Sequence, residues 1–217
     1  MQWNDESGVD YGELCLKANL EALGVPERSK SLVMDAKPRG EFVTLSDGNL
    51  ALRLGDSVLG ASADDTSRES TIADVAAMGD GLVVVFGIGV GHSVREIRER
   101  VSNPILVYEP DPGIMRRVLS NGPSDLGGVK LVCDYADFRA GWDAGAYSSR
   151  HGTLVQSPGY AEAFPDDILT VVDVVQRHAS IVAIRDTTLR VSYKKWVNHF
   201  AMNAPSLVGK APFGGLY

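Results

Sequence analysis

Three glycines at alternate positions, Gly87, Gly89 and Gly91, end an apolar run in Val83-Val84-Val85-Phe86-Gly87-Ile88-Gly89-Val90-Gly91-His92-Ser93. Glycine allows left-handed backbone angles and lets amides approach a bound group closely. Where such a loop joins a strand to a helix, the helix N-terminus adds donors and the positive end of a dipole. Glu109 follows Gly87 by 22 positions (109 − 87) and closes the next apolar run, Ile105-Leu106-Val107-Tyr108. A carboxylate so placed in a dinucleotide-binding fold accepts hydrogen bonds from ribose. Asp134 closes the run after that. Gly87, Gly89, Gly91, Glu109 and Asp134 are therefore the candidate ligand contacts, for a nucleotide-like molecule. A second reading has equal standing for the loop: the glycines serve a tight turn and helix–sheet packing, and Glu109 is solvated. For Asp134 a helix cap is the better supported role.

These residues need elements to hold them. Strands are predicted at 82–86, 105–109, 129–133 and 153–156, with helices near 92–102, 112–120 and 136–146. Continuous apolar strands spaced by helices make a parallel sheet covered on both faces. Ser93-Val94-Arg95-Glu96 fits a capping box, and Asp111-Pro112 gives an N-cap followed by proline at the first helical position. Upstream, residues 11–24 read as an amphipathic helix with Leu14, Ala18 and Ala22 on one face, stopped by Gly24 and Pro26. Residues 41–45 and 50–54 flank the turn Ser46-Asp47-Gly48-Asn49, and Ser57-Val58-Leu59-Gly60 extends a meander. A further helix is predicted over 64–78. Beyond Pro165 the apolar spacing of Ile168, Val171, Val172, Val175, Ile181, Val182 and Leu189 predicts one long helix or two consecutive ones. The fold class is α/β, Rossmann-like and three-layered. It has a mostly parallel sheet, an N-terminal helix with a β-meander, and a C-terminal helical extension. The regions are 1–79 (helix and meander), 80–165 (Rossmann-like), 166–203 (helical extension) and 204–217, which reads as a linker.

Composition narrows the function. The 217 residues are 44% hydrophobic and 23% charged, with net charge −7. An acidic chain without basic clusters is a poor match for nucleic acid, where affinity rests on neutralised phosphates. The N-terminal residues have no signal-peptide pattern, and no apolar run is long enough to span a membrane, so the expected compartment is the cytoplasm. Cys15 and Cys133 suit neither a disulfide framework nor a zinc site, and His92, His151, His178 and His199 lack metal-ligand spacing. No nucleophile elbow, Walker loop or paired-carboxylate signature is present. Tyr193, Trp196 and Phe200 form an apolar stripe suited to packing on a following domain or on another copy of the chain.

A dinucleotide fingerprint requires Gly-x-Gly-x-x-Gly, and His92 stands at the third glycine's place. The loop with Glu109 resembles better the first motif of Rossmann-like S-adenosylmethionine methyltransferases. That resemblance implies ribose on Glu109 and adenine near Asp134. Gln156-Ser157-Pro158-Gly159-Tyr160 is similar to the Asn/Asp/Ser-Pro-Pro-Tyr motif of amino-methylating members, which would give Ser157 and Tyr160 catalytic roles. Gly159 replaces the second proline and removes the stiffness that motif depends on. A complete methyltransferase also needs more strands than the four read here.

The pieces in order resemble one family more fully. They are Asn19-Leu20-Glu21-Ala22-Leu23, the meander, Phe86-Gly87-Ile88-Gly89-Val90-Gly91-His92 and Val107-Tyr108-Glu109-Pro110-Asp111-Pro112. Pro158-Gly159-Tyr160, Phe164-Pro165, Asn198 and Asn203-Ala204-Pro205 follow. Over approximately residues 13–205 this is similar to the amino-terminal region of bacterial motility accessory factor (Maf) proteins, which share a central MptE-like domain. The resemblance implies a part in flagellin glycosylation with nucleotide-activated nonulosonic acids. It also implies that transferase chemistry belongs to the MptE-like domain, whose Gly-Ala-Gly-Pro-Ser-Leu motif is absent, so that 204–217 leads into it. No catalytic residue is then assigned to this chain. Whether it is enzymatic by itself stays open, as does the loop's ligand, a nucleotide sugar or S-adenosylmethionine. The implied partners are the downstream domain and flagellin or another protein acceptor; homo-oligomerisation is open.

Overall fold

A computed structural model describes residues 10–60, 81–122, 126–148 and 151–208. Helices α1 (Tyr11–Ala22) and α2 (Glu27–Asp35) precede strands β1 (Glu41–Thr44), β2 (Leu50–Leu54) and β3 (Ser57–Leu59). The αβ alternation follows: β4 (Gly81–Phe86), α3 (His92–Arg100), β5 (Ile105–Tyr108), α4 (Pro112–Leu119), β6 (Val129–Val132), α5 (Tyr135–Ser148) and β7 (His151–Gln156). A short helix, α6 (Tyr160–Ala163), and the long α7 (Pro165–Val208) end the order. The helix expected at 64–78 lies outside the described residues. The chain divides into two compact units, Met1–Gln176 and Arg177–Tyr217. The second is helical over its described residues, with Ile181, Ile184, Tyr193 and Val197 exposed.

The predicted α/β class is the one observed. The main sheet has four parallel strands in the order β6-β5-β4-β7, with Val83 paired to Ile105 on one side and to Thr153 on the other. The meander is a separate antiparallel sheet, β1-β2-β3. Strand β4 is paired at both edges and covered on both faces, and Val83, Val84, Val85 and Phe86 are fully buried. That is why its sequence is a continuous apolar run rather than an alternating one. Each such side chain contributes about 1.5–3 kcal/mol through burial. Helix α5 packs across β4, β5 and β6. Its Gly141 and Gly145, one turn apart, let it close onto Leu106 and Leu82.

Two local expectations are corrected. The buried face of α1 carries Leu16, Asn19 and Leu20, while Leu14, Ala18 and Ala22 face outward. Asn19 hides the stripe because it is polar. Its amide donates to the carbonyls of Leu119 (2.7 Å) and Gly122 (2.8 Å), capping the end of α4 from inside the core. The capping box at Ser93 does not form either. Gly91, at φ 88°, is the N-cap and its carbonyl accepts from the Arg95 amide, so the helix starts at His92 without a side-chain cap. At α4 the predicted pair holds: the Asp111 carboxylate accepts from the Gly113 amide at 2.8 Å, and Pro112 opens the helix.

Helix α2 is tied to the end of β6 through Ser29, which is fully buried. Its hydroxyl accepts from the amides of Cys133 (3.0 Å) and Asp134 (3.1 Å) and donates to the Asp137 carboxylate (2.8 Å). Burial pushes the neighbouring Cys133 thiol up to about 12, so it stays protonated at neutral pH. Ser29→Ala leaves two amides without an acceptor, and a cost of about 2–4 kcal/mol is expected, with the secondary structure retained. Urea unfolding followed by circular dichroism checks this; a loss below about 0.5 kcal/mol would mean that water replaces the hydroxyl.

Candidate functional site

In a doubly wound sheet the ligand crevice opens at the carboxyl ends of the strands, where the strand order reverses. Here the reversal lies between β4, followed by β5 on one side, and β7 on the other. The loop 87–91 leaves β4 at that point, and Ser157-Pro158-Gly159-Tyr160 leaves β7 beside it. Gly87 (φ 88°), Gly89 (φ 55°) and Gly91 (φ 88°) all adopt left-handed angles. Side chains are strained there, which accounts for glycine at each alternate position.

The loop amides are directed into the protein. Gly87 donates to the Tyr108 carbonyl (2.8 Å) and Gly91 to the Ile88 carbonyl (2.9 Å). Ile88 donates to Glu109 Oε2 (3.0 Å), and Gly89 donates to the Tyr160 hydroxyl (2.9 Å). Glu109 and Tyr160 are both fully buried. The Tyr160 hydroxyl donates in turn to Glu109 Oε2 at 2.6 Å, and Glu109 Oε1 accepts from the Asp111 amide at 3.1 Å. The phenol ring lies beneath Gly87, where a β-carbon would overlap it. It stands edge-on to Phe86 (centroids 6.1 Å apart, 81°) and tilted against Phe164 (5.6 Å). His92, at the head of α3, is exposed.

The neighbouring polar groups are engaged in the same way. The Ser157 hydroxyl donates to the Gly87 carbonyl at 2.6 Å, and the Pro158 carbonyl accepts from the Gly60 amide at 3.0 Å. Gly60, at the end of the meander, rests on the loop backbone: a β-carbon on Gly89 would sit 3.0 Å from the Gly60 Cα. The close approach that glycine permits is made here by another segment of the same chain.

Gly87, Gly89, Gly91 and Glu109 are thus brought together, with Tyr160 among them. Asp134 is not part of the group. It sits at the end of β6, two strands from the loop, and its carboxylate accepts from the amides of Ala136 (2.9 Å) and Asp137 (3.1 Å) at the start of α5. Gly60 was not singled out by its sequence, although a glycine at the end of a strand run is a signal of close backbone approach. Beside the Pro110–Gly113 turn an open cavity of about 420 Å³ is lined by Lys37, Arg39, Asp111 and Asp167. In it Arg39 forms an ion pair with the Asp111 carboxylate.

Burial sets the electrostatics. It pushes the Glu109 carboxyl up to about 7, against the pull of the Tyr160 hydroxyl and the Ile88 and Asp111 amides. Burial and the adjacent Glu109 also hold the Tyr160 phenol well above its ordinary value, so it remains a donor.

No family model matches this chain, and no curated protein does. Among solved structures it is similar to a MAf glycosyltransferase from Magnetospirillum magneticum AMB-1, with a TM-score of 0.44 and 14% identity. The match covers 79% of this chain and 35% of that one, so the chain spans about a third of the length of its structural neighbour.

The carboxyl of Glu109 predicts a pH dependence. Its folded value, about 7, lies above the ordinary 4.5, so the native state keeps a proton that the unfolded chain releases between those values. This contribution is complete below the unfolded value and is lost as pH rises through the folded one. Wild type should therefore lose more stability between about pH 5 and about pH 8 than Glu109→Gln, whose side chain does not titrate. Urea midpoints across that range test this, and parallel slopes would refute it. Tyr160→Phe, measured in the same series, leaves the Gly89 amide without its acceptor and should cost about 1–3 kcal/mol.

Proposed function

We propose that this chain is a Rossmann-like accessory domain of a Maf-type glycosyltransferase, with its glycine loop closed by its own side chains. In this reading transferase chemistry belongs to a following MptE-like domain, and the donor is a nucleotide-activated nonulosonic acid. Flagellin or another protein is the acceptor. The family assignment is supported by the order of the pieces, above all Phe86–His92 and the Glu109-Pro110-Asp111-Pro112 turn. The accessory role is carried by one observation: the Tyr160 hydroxyl bridges the Gly89 amide and Glu109, the loop backbone and the carboxylate that would meet a nucleotide-like cofactor.

A methyltransferase shares the glycine loop and the carboxylate after the second strand of the unit. In this chain that carboxylate is fully buried, and its loop supports the Gly60 end of the meander. Uptake of S-adenosylmethionine would require both the ring and the meander to move away.

Titration calorimetry decides between the two. No saturable binding of S-adenosylmethionine or of a nucleotide sugar is expected at micromolar concentrations. Micromolar binding of the methyl donor, abolished in Glu109→Ala, would transfer the assignment to a methyltransferase. The accessory role has its own test: co-elution with a separately purified MptE-like domain in size exclusion is expected, and independent elution would count against it.

A further inference from the structure

The walls beneath the glycine loop are built without the ring that fills them. The roof is Gly87 and Gly89, and one side is Phe86, all from β4 and its loop. The polar wall is Glu109, 51 residues before Tyr160 in the chain, and the Gly89 amide, 71 residues before it. The Glu109 carboxylate is also held by the amides of Ile88 and Asp111, so it stays in place without the phenol. The occupant arrives on a single-turn helix, α6, that begins after Gly159 at φ 78°.

We propose that this crevice is a ligand site occupied in cis: it accepts a phenol-class ring bearing one hydroxyl, and Tyr160 is the resident occupant. The inference rests on the closed-loop reading and deepens it. The ring enters an apolar slot, and its hydroxyl meets one acceptor and one donor. Those are the two partners that a bound alcohol would need from the protein. A cavity lined only by apolar side chains selects differently. Apolar cavities take benzene-like molecules without regard to a hydroxyl. A slot whose end wall is a buried carboxylate and an amide discriminates, because a ring without a hydroxyl leaves the Gly89 amide without its acceptor and Glu109 without one of its three donors.

The test uses the full chain with Tyr160→Ala, which keeps the β-carbon and vacates a volume the size of phenol. Thermal unfolding is followed with added phenol or benzene, with wild type alongside. At phenol about tenfold above its dissociation constant, the midpoint of the variant should rise by about 3–6 °C. Benzene should give roughly a third of that or less, and wild type should not respond. A folded variant that ignores phenol, or that responds equally to benzene, overturns the proposal. Should the variant be unfolded alone, phenol must restore its circular dichroism, and failure to do so overturns it as well. A silent variant beside a silent wild type refutes only the cis-occupied site. A phenol shift in wild type itself refutes the closed-loop reading, since the resident ring would then be yielding to a competitor.

Discussion

A carboxylate wholly removed from water has to be satisfied by the protein around it, and Glu109 organises the top of the sheet on that condition. Its two oxygens take donors from three segments: the Ile88 amide of the glycine loop, the Asp111 amide of the following turn and the Tyr160 hydroxyl. Leaving a buried carboxyl group without such partners costs about 1–3 kcal/mol, and more when it is ionised. The loop must therefore present Ile88 inward, which the left-handed angles at Gly87 and Gly89 allow. The turn must bring the Asp111 amide back to Oε1 while the Asp111 side chain caps α4. Tyr160 must enter from β7. The order of the strands makes this possible, because β7 pairs directly with β4 and delivers α6 beside the loop.

The second condition is backbone proximity. Gly60 and Gly89 meet so closely that a β-carbon on either would lie 3.0–3.1 Å from the other's α-carbon, and Gly159 packs against the Val58 carbonyl. The meander is thereby joined to the crevice at its carboxyl edge, and the hydrogen bond from Gly60 to Pro158 fixes the position. Packing this close tolerates no added methyl group without displacement of main chain.

Much of this was legible in the sequence, and the reasons are local. The strands of the parallel sheet, buried on both faces, leave unbroken apolar runs such as Leu82–Phe86. Glycines spaced by two announce left-handed angles, and Asp111-Pro112 marks a helix start by its own chemistry. What stayed hidden depends on partners distant in the chain. Tyr160 stood out as a motif residue, but its destination follows from β7 lying beside β4. Glu109 read equally well as a ribose acceptor or a solvated side chain, and the structure buries it. Asn19 obscured the buried face of α1 because a polar amide in the core is intelligible only once the carbonyls of Leu119 and Gly122 are beside it.

The separation of Gly89 from Tyr160 also has a meaning in time. A chain growing from its N-terminus makes the loop and Glu109 first, and the phenol that completes them comes 71 residues after Gly89. At typical rates of synthesis that interval is roughly 4–14 s. Strand β7, the last partner of β4, emerges only shortly before. From the synthesis of β5 and Glu109 until that of β7, a nascent chain carries β4 with one partner strand still missing and a carboxylate lacking its strongest donor. The sheet can close only near the end of the α/β region, so the final arrangement is reached late in synthesis. Ribosome-bound chains that stop short of α6 are the forms that lack the ring filling the crevice beneath the loop.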